Sequence, residues 1–292
     1  MYPDPFEWAE AGSFSDAVDL LRSHGDGARI IAGGQSLVPM MHLRLVRPAV
    51  LVDVNGFAPA TGVRRDGDRL AIHGLARQRE LERSPEVRNG WPLLAEAASH
   101  VGNPRVRNRG TVAGSLAHAD PAAEITCAAL ALGGEVEILG PGGERGIPVG
   151  DLSATFLTTT LGPAEVVTGL RLPPQPRGAG QAFLELARRP GEFAVANMAA
   201  VVGLAGGVVE HVRLAGGGIG ERALDLTDAA AAVLVGSPPS AAALDEVGER
   251  VAAACDPYDD AHATAGYRRE MAEVLARRAL ALAARRAGNG AG

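Results

Sequence analysis

The chain has 292 residues, long for a single core, so two domains are expected. Its 28 basic and 34 acidic side chains leave a net charge of −6, which gives no global field for nucleic acid. Only Cys127 and Cys255 are present, too few thiolates for an iron–sulfur cluster, and no apolar run reaches the roughly 18–20 residues of a membrane span. The N-terminal stretch MYPDPFEWAEAGSF has neither the basic start nor the apolar core of a secretion signal. A cytoplasmic protein with reduced, structural thiols is therefore expected.

In chain order, SFSDAVDLLRSHGD reads as a helix capped by Ser13 or Ser15, with Ala17, Leu20 and Leu21 on one face. ARIIAGG is a short buried strand ending in a glycine pair, and AVLVDVN is a second strand; the order resembles a short βαβ unit. RLAIHGLARQRELERSP runs from strand into helix, and WPLLAEAASHVG is a helix stopped by Gly102. DPAAEITCAALALGG is a helix with Pro121 in its first turn and Gly133 past its end. EVEILGPGGERGIPV is a hairpin. AEVVTGLRL is a strand, and the Pro/Gly-rich stretch Pro173–Gly180 behind it marks the domain boundary. Beyond it, QAFLELARR, FAVANMAAVVGLAGG and VEHVRLAGGGIG form three antiparallel strands, followed by three helical segments. Strands followed by helices indicate an α+β arrangement. The divisions are 1–176, with subdomains of about 1–56 and 57–176, then 177–287, and a disordered tail over 288–292.

Gly33-Gly34 is the first chemical signal. Paired glycines after a strand serve either as a tight turn or as a concave nest of amides that binds an anion without a lysine. Ser36 adds a hydroxyl. A second small-residue loop, Thr111-Val112-Ala113-Gly114-Ser115, precedes the helix expected near Asp120-Pro121. Two phosphate-sized nests suit a pyrophosphate, and a dinucleotide is the commonest ligand that carries one.

AGGQSLVPMMHLRLVRPAVLVDVN and VRNRGTVAGSLAHADPAAE resemble the two FAD-binding loops of the flavoprotein subunits of molybdenum hydroxylases. These are the medium subunits of aerobic carbon monoxide dehydrogenase and the FAD subunits of xanthine dehydrogenase. The resemblance continues through ELARRPGEFAVANMAA, LAGGGIGERAL and AGYRREMAEVLARRAL, in order and over nearly the whole chain. It implies a PCMH-type FAD-binding domain of two small α/β subdomains, then a C-terminal domain with a three-stranded antiparallel sheet and three helices.

By that resemblance, Ala32, Gly33, Gly34, Gln35 and Ser36, running into Leu37, embrace the FAD pyrophosphate. Thr111, Ala113, Gly114 and Ser115, with Ala117 beyond, hold it from the other side. The family commonly reads Thr-x-Gly-Gly-Asn there; Ala113 is expected to cost roughly 1 kcal/mol if its φ is positive. Glu124 takes the place of a family acid that accepts from ribose or adenine donors, or else it simply suits the helix dipole. Leu161 lines the flavin or fills the core. Phe193 stacks near one face of the isoalloxazine or is a core residue of a central strand. No catalytic acid or base and no metal ligand set is assigned.

The implied function is electron transfer by a flavoprotein oxidoreductase subunit. Electrons come from a [2Fe-2S] small subunit, fed by a molybdopterin large subunit, and pass through FAD to quinone, NAD or oxygen. The implied assembly is a homodimer of heterotrimers. The residues leave two other readings open. One is a stand-alone flavin-dependent oxidase or dehydrogenase of a small metabolite. The other is a non-catalytic assembly subunit that has lost FAD, motivated by Ala113 and Ser115.

Three further features carry less. His118 is expected in a solvent-exposed loop, and His42, His73 and His100 share no metal spacing with it. Arg105, Arg107 and Arg109 form a salt-bridged turn, compensate the pyrophosphate charge, or dock an acidic partner. GGGIGERA fits a loose dinucleotide-binding pattern, but its hairpin context points to a turn into a helix.

Overall fold

The structure, a computed structural model, describes residues 2–289. The N-terminal part opens with a three-stranded parallel sheet. Val50–Asp53 lies at its centre, between Glu7–Glu10 and Ala28–Ile31. The helix Phe14–His24 begins at Ser13, whose hydroxyl accepts from the Asp16 amide, and buries Ala17, Val18 and Leu21. The short helix Leu37–His42 connects the two strands of the βαβ unit. The edge strand Glu7–Glu10 goes unanticipated because its sequence, EWAE, has no apolar alternation.

A five-stranded antiparallel sheet follows, in the order Val63–Asp66, Arg69–His73, Val166–Leu172, Glu135–Gly140, Gly143–Pro148. The helices Gln78–Arg83, Pro92–His100, Val112–His118 and Glu124–Ala131 pack beside it around a core that includes Leu81, Leu94, Leu116 and Ile125. The last of these helices begins at Glu124, so Pro121 precedes it by three residues instead of sitting in its first turn.

The C-terminal part holds four antiparallel strands, not three. Gly180–Ala187, Ala194–Ala205 and Val208–Gly217 are joined at the edge by Leu224–Asp225. The nearly continuous apolar run of Ala194–Ala205 reflects cover on both faces. Ala199 and Val201 face the core of the first part, whereas Met198, Ala200 and Val202 face the C-terminal helices. Those helices are Thr227–Leu234, Ala241–Ala254 and Ala265–Asn289. Gly288 and Asn289 are thus helical, not part of a disordered tail, and 290–292 lie outside the described residues.

The first turn of the last helix is fastened by a buried cation. The Arg268 side chain is 3 % exposed. It donates to the carbonyls of Val195 and Gly218, pairs with Asp260 Oδ2 at 2.6 Å, and lies 5.3 Å from the Tyr258 ring centre. Removing Arg268 leaves the carbonyls of Val195 and Gly218 without this donor, whereas Asp260, 31 % exposed, keeps water. Arg268→Ala is expected to lower stability by about 3 kcal/mol, measured by urea unfolding; an unchanged midpoint contradicts this role.

Candidate functional site

A cleft of about 690 Å3 lies between the parallel-sheet unit and the helices of the second subdomain. That volume is in the range of small-molecule and cofactor sites. All fourteen residues singled out from the sequence line it: Ala32 to Leu37, Thr111, Ala113, Gly114, Ser115, Ala117, Glu124, Leu161 and Phe193.

The first wall is the turn after the strand Ala28–Ile31. Among the described residues, the main-chain amides of Gly33, Gly34, Gln35, Ser36 and Leu37 meet no acceptor, and the Ser36 hydroxyl caps no amide. Gly34 has φ +71°, the left-handed conformation that favours glycine. Gln35 Nε2 turns back to the Gly33 carbonyl at 3.0 Å, which stiffens the bend. The wall therefore presents five free donors around one concavity, the chemistry of an anion nest.

Gly33 is glycine for a different reason from the one expected. A Cβ there would strike the Arg109 carbonyl oxygen and lie 2.8 Å from Gly110 Cα. What comes so close is the other loop's backbone, not a ligand. A polar bracket supports this contact. Asn55 Nδ2 donates to the Ala32 carbonyl at 2.9 Å, Arg77 Nη2 to Asn55 Oδ1 at 2.8 Å, and Arg77 Nη1 to the Arg109 carbonyl at 2.7 Å. Neither Asn55 nor Arg77 was anticipated; nothing local in the sequence signals a pairing across 22 or 32 residues.

The second wall departs from expectation. Thr111 to Ser115 is the start of the helix Val112–His118, not a loop. Its first amides are already used. Val112 donates to the Ala76 carbonyl, Ala113 to that of Gly74, Gly114 to Thr111 Oγ1 and Ser115 to the Thr111 carbonyl. The segment therefore offers no second amide nest. It offers a smooth face, with Gly114 and Ala117 exposed, against which a flat ligand can lie. Ala113 is helical and buried, with no positive φ, so its methyl carries no strain.

His118 ends this helix and lines the cleft half-buried instead of lying in an exposed loop; burial pulls its imidazole pKa below the usual value. Ala119 follows in the left-handed region, and its carbonyl accepts from Leu157, the other left-handed residue on this wall. Glu124 starts the next helix, and burial pushes its carboxyl up to about 8. Leu161 packs partly into the core while lining the cleft. Phe193 is no core residue: it stands 77 % exposed at the rim, just before the strand Ala194–Ala205.

Arg107 and GGGIGERA have structural roles. Arg107 is buried, donating to Glu82 at 2.8 Å and to the Val101 and Gly102 carbonyls. GGGIGERA ends an antiparallel strand, where the Gly218 amide donates to the Pro121 carbonyl, and it leads into the short strand Leu224–Asp225 before any helix. Among the described residues no group of three His, Cys, Asp or Glu side chains is placed to hold a metal ion.

Comparison with known proteins agrees with this geometry. Residues 4–175 match the family described as FAD binding domain in molybdopterin dehydrogenase, and residues 181–283 match the CO dehydrogenase flavoprotein C-terminal domain. The chain belongs to this flavoprotein family. It is 36 % identical to subunit alpha of the 6-hydroxypseudooxynicotine dehydrogenase complex of Paenarthrobacter nicotinovorans, over 98 % of this chain and 97 % of that one. It is 34 % identical to the carbon monoxide dehydrogenase medium chain of Hydrogenophaga pseudoflava, over 96 % and 97 %. A solved carbon monoxide dehydrogenase from that organism superposes with a TM-score of 0.95, at 35 % identity, covering 98 % of this chain and 99 % of that one. Quinoline 2-oxidoreductase from Pseudomonas putida 86 superposes at 0.92, with 30 % identity over 98 % and 99 %.

Because Gly33 packs on backbone, a methyl group there must push the two walls apart, an overpacking that costs about 1–3 kcal/mol. Gly33→Ala is expected to lower the unfolding midpoint of the flavin-free protein and to reduce bound FAD at least tenfold, read from the flavin-to-protein absorbance ratio. Stoichiometric flavin at a normal midpoint contradicts the backbone contact.

Proposed function

We propose that this chain carries FAD in the cleft and serves as the electron-transfer flavoprotein subunit of a molybdenum hydroxylase complex. Electrons enter from a [2Fe-2S] subunit and leave to an external acceptor. The observation that carries this reading is the row of five unpaired amides, Gly33 to Leu37, facing a cofactor-sized cleft. Membership of the flavoprotein family along almost the whole chain supports it.

The residues present fit the cofactor. The amides of Gly33 to Leu37 and the Ser36 hydroxyl take the diphosphate as backbone donors to an anion. The exposed face at Gly114 and Ala117 lets a flat ligand approach the helix. Leu161 and Phe193, which line the cleft, would supply apolar cover that excludes water from a bound ring. Bound FAD supplies the exchange between one-electron and two-electron transfer. The protein supplies placement and electrostatics.

Both cysteines are buried, and burial pushes their thiols above the usual range, so a cluster ligated by cysteine belongs to a partner chain. The partners are a [2Fe-2S] subunit and a molybdopterin subunit, assembled as a homodimer of heterotrimers in the cytoplasm. Residues 1–176 form the main cofactor-binding part and 177–287 the part packed against it, which adds Phe193 to the cleft, divided at the connection Pro173–Gly180.

The purified chain is expected to show flavin absorption bands. Its flavin should stay oxidised with candidate substrates alone and become reduced once the iron–sulfur and molybdenum subunits are added. Substrate turnover by the isolated chain favours a stand-alone oxidase instead. A chain that stays colourless after incubation with FAD supports the reading that the cofactor has been lost.

A further inference from the structure

The free amides of Gly33 to Leu37 carry no formal charge, and the sequence contains no lysine: its 28 basic residues are all arginines. One arginine, Arg29, lines the cleft, against Asp120, Glu124, Glu165 and Glu192. Arg29 is exposed, and its Nη1 is held by the Asp26 and Ala28 carbonyls. Glu165 and Glu192 are paired with Arg145 and Arg189. The lining itself therefore offers little positive charge to a diphosphate.

Arg77 stands behind it. This half-buried residue precedes the helix Gln78–Arg83 and pairs with Thr111 in an isolated antiparallel bridge. Its side-chain hydrogen bonds go to neutral oxygens, the Arg109 carbonyl at 2.7 Å and Asn55 Oδ1 at 2.8 Å, and among the described residues it forms no ion pair. The acid on this side, Asp53, is taken up by Asn55, whose main-chain N and Nδ2 donate to its Oδ1 at 3.0 and 2.6 Å. The Arg109 side chain is exposed and also forms no ion pair among the described residues. Burial, then the charge of Arg109, holds the Arg77 pKa below the usual arginine value, with Asp53 opposing. Arg77 is thus a cation short of a counter-charge.

The bonds leading from it run in one direction. Arg77 donates to the carboxamide oxygen of Asn55, and Nδ2 of the same carboxamide donates to the Ala32 carbonyl at 2.9 Å. That carbonyl and the Gly33 N–H are the two ends of one peptide group, and this N–H is the first of the free donors. The orientation of Asn55 is forced, because a guanidinium only donates and a carbonyl only accepts. Two amide groups are therefore aligned head to tail between a cation and the anion turn, an arrangement in which each hydrogen bond polarises the next.

We propose that Arg77 is a positioning residue for the diphosphate of the cofactor, delivering its positive charge through Asn55 and the Ala32–Gly33 peptide to the Gly33 N–H without touching the ligand. The inference rests on the FAD reading. It goes beyond a brace between the two walls: a brace needs only the hydrogen bonds, whereas the relay needs the charge. The relay gives a turn without lysine a share in a cation, and the bound anion gives that cation the counter-charge it lacks.

The test is the dissociation constant for FAD, read by quenching of flavin fluorescence on titration with the flavin-free full chain, at low and at high salt. Arg77→Gln, which keeps a side-chain donor and loses the charge, is expected to weaken binding about tenfold and to flatten its salt dependence. Arg77→Lys, which keeps the charge on fewer donors, is expected to recover most of that loss. Asn55→Ala leaves Arg77 in place and interrupts the relay; it is expected to weaken binding about threefold, and adding Arg77→Gln to it should cost less than Arg77→Gln alone. Binding by Arg77→Gln as tight as by the unmodified chain overturns the proposal. Equal losses in Arg77→Gln and Arg77→Lys with an unchanged salt dependence, the mark of a brace, overturn it too. Should Arg77→Gln fail to fold, Asn55→Ala decides, and unaltered affinity in that variant overturns the proposal. Absence of FAD binding by the unmodified chain overturns the function reading itself, which separates the two failures.

Discussion

The site depends on a contact between two stretches of main chain. Gly33 lies against the Arg109 carbonyl and Gly110 Cα with no room for a methyl group. This approach sets the spacing between the turn that carries the free amides and the helix opposite. Backbone against backbone is a stiff joint, because neither side has a rotamer to change. The Asn55–Arg77 bracket adds hydrogen bonds to a charged group on both sides of it. Preorganised donors of this kind bind without first having to be ordered, which favours affinity.

The asymmetry of the walls follows from the same joint. The amides of the turn at Gly33 meet no acceptor among the described residues, so they stay free for a ligand. The helix opposite satisfies its first amides internally, through Thr111 and the carbonyls of Gly74 and Ala76. One wall therefore binds by hydrogen bonding and the other by shape. The C-terminal sheet supports the shape wall, since Ala199 and Val201 pack into the core beneath the helix Glu124–Ala131.

Much of this was legible in the sequence because the signals were local. The strand ending in Gly33-Gly34, the Ser13 cap, the hairpin at Pro141-Gly142 and the three long C-terminal strands each carry their own pattern. Twelve of the fourteen cleft residues came from two motifs that resemble a known family, and Leu161 and Phe193 from further stretches of the same resemblance. What stayed hidden depends on distant partners. Val112–His118 looks like a loop because Gly114 and Ser115 interrupt it early, Gly costing about 1 kcal/mol relative to Ala in a helix. Its burial of Val112, Ala113 and Leu116 holds it helical all the same. The reason for Gly33 was unreadable without knowing that Arg109 folds onto it. Phe193 stayed undecided between a flavin-stacking and a core position because an aromatic beside a long apolar strand has the same local pattern whether it points in or out.

The most direct measurement of the central claim is hydrogen–deuterium exchange of the full chain with and without FAD, resolved for peptides covering Gly33–Leu37 and Val112–Ser115. The free donors of the first segment should exchange fast in the flavin-free protein and become strongly protected on binding, whereas the second segment, already bonded within the protein, should change little. Unchanged exchange at Gly33–Leu37 in the flavin-loaded chain contradicts the assignment of the anion to that turn.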